Sequence, residues 1–253
     1  MVVVIAAVLA YVFAGSGGTS PLVGTYVNGT QLAELKAVAM NNALANNIGV
    51  GTTLNGGHPN YPNSVKGNPL IVNGKAGVVY VGADYCPFCA VTRWGLIIAL
   101  MRFGNVTGLK YMQSSHAAGE PYPNTPTFTF SNSTYSSGSA YFDAVETETM
   151  DEKPLGTPDA LEAATFSAYG TGAIPFVDFG NSSVLIGATI TPQVLDGKSW
   201  SQIISLLNDS GSPVALDVIG SADVYTAAIC KIDAGVANTS ACQQPYVKSI
   251  NGA

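Results

Sequence analysis

Residues 77–103, "GVVYVGADYCPFCAVTRWGLIIALMRF", limit the folds open to this chain more than any other stretch. A β-branched run over 77–83 predicts a buried strand. From Pro87 the pattern turns helical through about residue 103, with Trp94, Ile97, Ile98 and Met101 at three- and four-residue spacing and a stop signal at Gly104 and Asn105. Two cysteines, Cys86 and Cys89, sit where the strand gives way to the helix. A helix N-terminus favours a thiolate, because its unpaired N–H groups and its dipole both stabilise negative charge, and Cys86 takes that position. Two intervening residues put Cys89 in the first turn, within reach of the Cys86 sulfur, so the pair can close and reopen a disulfide. Pro87 suits the first helical position, where its missing N–H has no helical partner. The same spacing also serves zinc, or two inert buried cysteines. A structural zinc site needs four ligands, and the remaining candidates are Cys230 and Cys242, with eleven residues between them, and His58 and His116 in Pro- and Gly-rich loops. No metal or organic cofactor is expected.

The rest of the chain alternates helix and strand signals. A helix is expected over 31–45 behind Thr30 as cap, then a loop, then a hairpin whose Asn73-Gly74 turn leads into the strand before Cys86. Residues 109–115 predict the next strand, completing a strand–helix–strand unit, and "TFTFSNSTYSSGSAYFDAVETET" predicts two more joined by a Ser-rich turn. A helix follows Pro158 and Asp159 and ends at Gly170. Two strands around Gly180-Asn181, a closing helix, and a further helix with a loop ending at Cys242 complete the reading. Cys230 and Cys242 are expected to form a structural disulfide tying that helix to its loop, worth ~3 kcal/mol in the chain-entropy model. The rival is a second redox pair exchanging with the first. No internal repeat is evident.

Residues 2–14 form an apolar run that passes into a flexible "GSGGTSP", which reads as an export segment and linker, or alternatively as a buried N-terminal strand. The run is shorter than the ~20 residues of a spanning helix and lacks leading positive charges, so the true start is expected upstream. Asn-x-Ser/Thr sequons at Asn28, Asn105, Asn132, Asn181, Asn208 and Asn238 favour a glycosylated domain outside the cytoplasm, where disulfides persist. Charged residues make up 10% of the chain, and the net charge is −6 with no Lys/Arg cluster, so nucleic-acid binding is not expected.

Strand, C-P-F-C, long helix, strand, and later an Ile-Pro step into a hairpin and a final helix resembles the thioredoxin-like superfamily. Within it, "YCPFCA", "RW", "YPNTPTF" and "AAIC" resemble a group of archaeal extracytoplasmic proteins known only as a domain of unknown function. The resemblance implies an α/β fold with a central mixed sheet flanked by helices, and a cis-proline at Pro175, preceded by Ile174, beside the cysteine pair. Ile174, Pro175, Pro87 and Phe88 would then form the surface where a substrate segment lies. It also implies an insertion over about 116–157, before the cis-proline strand, and a helical extension over about 209–253. Residues 1–15 would be the signal or anchor, 16–30 a linker, and 31–253 the domain. The chain departs from the superfamily where thioredoxin has a buried Asp six residues before its first cysteine: here Tyr80 stands, so that internal proton acceptor is absent. Asp84 reads as a solvated loop acid, and "EPYPNTPTF" as a proline-stiffened loop in preference to a lid over the site.

These expectations converge on an exported, membrane-tethered thiol–disulfide oxidoreductase. Its partners would be protein thiols and disulfides and a redox partner the sequence does not identify. The rival is a non-enzymatic surface module in which the Cys86–Cys89 bond only pins a turn.

Overall fold

The computed structural model describes residues 18–52, 61–232 and 234–252. The apolar run 2–14, the start of the linker and His58 lie outside the described residues. Helix α1 (Gly29–Met40) is capped by Asn28, whose side chain accepts from the Gln31 N–H at 2.9 Å. The single helix expected over 31–45 with Thr30 as cap is in fact two. Asn41 leaves the helical conformation and caps α2 (Asn42–Ile48) with its own side chain, an end position that asparagine favours.

Strands β1 (Asn63–Ser64), β2 (Ile71–Val72) and β3 (Lys75–Gly82) follow. Asn73 and Gly74, both at positive φ, make the predicted hairpin turn between β2 and β3. Helix α3 (Pro87–Met101) leads to β4 (Gly104–Thr107), β5 (Lys110–Gln113), β6 (Pro126–Thr129), β7 (Thr134–Ser137) and β8 (Ala140–Glu146). Then come α4 (Ala160–Tyr169), β9 (Phe176–Phe179), β10 (Ser183–Ile186), α5 (Trp200–Leu207), α6 (Pro213–Cys230) and α7 (Pro245–Gly252). Asp159 and Glu162 cap α4 reciprocally, as the Pro158-Asp159 signal predicted.

The central sheet runs β1-β10-β9-β3-β2, with β8 added parallel to β3. The chain is thus a mixed α/β fold. The strand predicted at 109–115 exists as β5 but pairs antiparallel with β6 in a separate ribbon, and β4 pairs with β7 in another. The parallel partner of β3 is β8, in register from Ala76 opposite Ala140 to Gly82 opposite Glu146. Residues 116–157, expected as an insertion, therefore contribute a strand to the central sheet, and the excursion between α3 and β8 is built of the two ribbons.

The apolar stripe predicted for α3 understates its burial, since every residue but Phe88 is buried. The helix packs against α1, β4, β6 and α6. Gly95 permits the approach of α6: a Cβ there would lie 2.8 Å from the Tyr225 ring. Arg102, at the end of α3, pairs with Asp223 of α6 at 2.6 Å. Among the described residues α6 is the one helix long and apolar enough to span a bilayer, and 83% of it is buried in the fold. Cys230, its last residue, is bonded to Cys242 with a Cα–Cα distance of 5.5 Å, before α7, a further helix within the stretch expected as a helical extension.

Candidate functional site

Strand β3 ends at Gly82, and the Ala83–Asp84–Tyr85 turn delivers the chain to α3. The Cys86 N–H donates to the Ala83 carbonyl at 3.3 Å, which fixes the turn. Cys86 is the N-cap of α3 in extended conformation, and its sulfur accepts from the Cys89 N–H at 3.1 Å, the bond an N-cap side chain makes. Pro87 occupies the first helical position, as expected. Both thiols are free. Cys86 keeps 6% of its surface and Cys89 none.

Their acidities are set apart. The Cys86 thiol is held below the ordinary thiol range, first by hydrogen bonding from the Cys89 side chain and then, against burial, by the Cys89 N–H and the charge of Arg93. Burial pushes Cys89 well above that range, and its hydrogen bond to Cys86 adds to the shift. Of the two thiols Cys86 is thus the readier to ionise and Cys89 the more resistant.

Beneath the pair lies a charged cluster that sequence reasoning missed. Arg93, fully buried, donates through Nη1 to Glu146 Oε2 at 2.8 Å and to the Ala83 carbonyl at 3.2 Å, and lies 3.6 Å from Asp84 Oδ1. Its Nε donates to Thr127 Oγ1 at 3.4 Å. Tyr80, also fully buried, lies 3.5 Å from both Arg93 Nη1 and Glu146 Oε2. Burial pushes Glu146 up to about 7, with Arg93 opposing. Asp84 is 2% exposed, not the solvated loop acid expected, because the turn folds it inward toward the buried guanidinium. Burial raises its pKa as well, again against Arg93. Tyr80 is no acid, and two carboxylates, Asp84 and Glu146, reach its region from the turn and from β8. The available signal was Arg93 itself, the single charge in an otherwise apolar helix, at i+4 from Cys89 and i+7 from Cys86 and so on their face.

The loop over 114–125, which holds the start of the stretch read as proline-stiffened in preference to a lid, touches the site. The Ser115 N–H donates to the Tyr85 carbonyl at 2.8 Å, and the Tyr122 ring meets Phe88 edge-on at 5.9 Å between centroids. Phe88 is 39% exposed. Backbone pairing is what folds this loop back: the Asn124 N–H donates to Ser115 O at 3.0 Å.

The Ile174–Pro175 bond is cis. Antiparallel pairing of β9 on β3 puts Phe176 opposite Val81, so Pro175 falls at the end of β3 from which the chain leaves for Cys86. Pro175 is buried and Ile174 half-buried against Val81, Val145 and Phe176. Pro87, Phe88 and both cysteines are therefore together, with Ile174 and Pro175 at the same edge of the sheet, and Cys230 and Cys242 are bonded to each other. Among the described residues no group of three or more His, Cys, Asp and Glu side chains is placed to hold a metal ion.

No curated protein and no solved structure matches this chain. Residues 61–171, a span that holds both cysteines, Arg93, Tyr122 and Glu146 and stops before Pro175, match the family model described as a domain of unknown function (DUF929).

Proposed function

We propose that the chain is a thiol–disulfide oxidoreductase of thioredoxin-like type, acting on protein thiols and disulfides outside the cytoplasm. The observation that carries this reading is the asymmetry of the pair: Cys86 caps α3, is held acidic and retains some surface, whereas Cys89 is enclosed and keeps its proton. The order of parts supports the family likeness: β3, C-P-F-C, α3, parallel β8, α4, then β9 after Pro175, β10 and a closing helix. The Cys230–Cys242 bond, the sequons and the apolar N-terminal run support an oxidising compartment and a tether.

In the reductive direction the Cys86 thiolate attacks one sulfur of a substrate disulfide, forming a mixed disulfide and releasing the other sulfur as a thiolate. Cys89 then gives up its proton and attacks the Cys86 sulfur. The second substrate thiolate leaves, and the Cys86–Cys89 disulfide holds the oxidation that the substrate has lost. The oxidative direction is the reverse. No cofactor enters these steps.

A limiting alkylating agent should label Cys86 in the reduced protein before Cys89, and Cys89→Ser should trap mixed disulfides through Cys86 in a cell extract. Equal labelling, or no trapped species, would return the pair to the role of a bond that pins a turn.

A further inference from the structure

We propose that Arg93 is the positioning residue of the cysteine pair: it anchors the turn that holds Cys86 and places a buried positive charge beneath the pair, with Glu146 as the counter-ion that limits that charge. The inference rests on the oxidoreductase reading above and names a residue on which that chemistry depends.

Removing a guanidinium from water costs several kcal/mol, and an apolar side chain of similar size would fill the space in α3 without that cost. The contacts of Arg93 explain its presence. Its Nη1 and the Cys86 N–H share one acceptor, the Ala83 carbonyl, at 3.2 and 3.3 Å, so a single side chain fixes the oxygen on which the Cys86 backbone hangs. Through Thr127 Oγ1, which itself donates to the Ala90 carbonyl at 2.8 Å, the guanidinium is tied to β6, and through Glu146 to β8. Glu146 is immobilised in turn, its Oε1 accepting from the Phe130 N–H at 3.4 Å. Arg93 Nη2 is buried with no hydrogen-bond partner among the described residues, so the ion pairs that Nη1 makes with Glu146 and Asp84 leave the other end of the guanidinium without a hydrogen bond. The titratable groups around it are Tyr80 of β3, Asp84 of the turn, Glu146 of β8, and Cys89 and Cys86, one and two helical turns back toward the start of α3. In a low-dielectric interior a charge so enclosed acts on the thiols without screening by salt.

A clamp that merely held the fold would make every weakening variant alike, whereas a charge balance moves in opposite senses when its two partners are removed. In the reduced full chain, Arg93→Met should raise the pH at which Cys86 ionises, cut its alkylation rate at neutral pH several-fold, and shift the pair toward the reducing end against glutathione. Glu146→Gln, which keeps the shape and one acceptor oxygen for Arg93, should do the reverse: a more acidic Cys86, several-fold faster alkylation and a more oxidising pair. Arg93→Lys should restore most of the wild-type acidity. Where Arg93→Met does not fold, the gain in Glu146→Gln and the retained acidity of Arg93→Lys carry the test, since neither follows from a loss of structure. Shifts in the same direction, or none, overturn the role of Arg93 while leaving the reactivity of Cys86 standing. A wild-type pair that forms no reversible disulfide removes the oxidoreductase reading and this role with it.

Discussion

Phe88 sits between the two cysteines, where its side chain can donate nothing to either sulfur. The C-P-F-C pair resembles the C-P-Y-C of glutaredoxins, and a strong oxidant such as DsbA owes part of its stabilised thiolate to a histidine at this position. On the sequence alone, stabilisation of Cys86 had to come from the helix end and backbone. The structure adds the hydrogen bond from Cys89 and the charge of Arg93, while burial works against both. The expected potential lies near ~−200 to −230 mV, between the thioredoxin and DsbA extremes. Phe88→His should move it toward the oxidising end by stabilising the Cys86 thiolate, as read by equilibration against glutathione. Phe88 is exposed and belongs to neither hydrophobic core cluster, so the substitution leaves the core intact. A wild type already as oxidising as DsbA, or a histidine variant with unchanged potential, would show that the intervening residues do not set the poise.

At the scale of elements, the C-terminal cysteines tie the end of α6 to the turn before α7, and neither takes the helix N-cap position that Cys86 holds. Mild reductant should therefore open a Cys86–Cys89 disulfide and leave Cys230–Cys242 closed, as mass spectrometry after differential alkylation would report. Replacing both Cys230 and Cys242 by Ala should lower stability by ~3 kcal/mol without changing the reactivity of Cys86. If the two pairs open together, the C-terminal bond is not purely structural. Elements whose signals are local could be read in advance: the Asn73-Gly74 turn, the start of α3 at Pro87 and the cap of α4 at Asp159 each depend on a few neighbouring residues. The pairing of β3 with β8 could not, because β5 offers an equally good strand pattern closer in sequence and only three-dimensional packing chooses between them. The same holds for the site. Cys86 and Cys89 announce themselves by spacing, whereas Glu146 reaches the pair from a strand 57 residues beyond Cys89, through a pairing that no local pattern encodes. Asp84 was misjudged because an acid in a turn is usually solvated, and the buried cation that draws it inward belongs to the helix that follows.

Over the whole molecule, scarce charge makes each buried carboxylate weigh more. Burial pushes Glu146, Asp178 and Asp223 up to about 7, and of these Asp178 has no cation beside it. It lies in β9 between Val79 and Val184, accepts from the Asn181 N–H at 2.9 Å through Oδ1, and has no partner at Oδ2 among the described residues. An acid whose pKa is higher in the folded than in the unfolded chain binds its proton more tightly when folded. Between its ordinary value of 3.8 and about 7 the native state therefore holds more protons, and stability falls as pH rises through that window. The negative charge that the chain gains above its pI of about 4.7 works in the same direction. Urea unfolding should thus show a higher midpoint at pH 5 than at pH 8. Asp178→Asn, which cannot ionise and still accepts from Asn181, should flatten this dependence and stabilise the protein at pH 8 by on the order of 2 kcal/mol, with little effect at pH 4. A midpoint that climbs from pH 5 to pH 8, or an Asn variant with an unchanged slope, would mean that Asp178 is ionised in the folded chain at low pH, and that the Asn181 N–H holds its charge more firmly than burial opposes it.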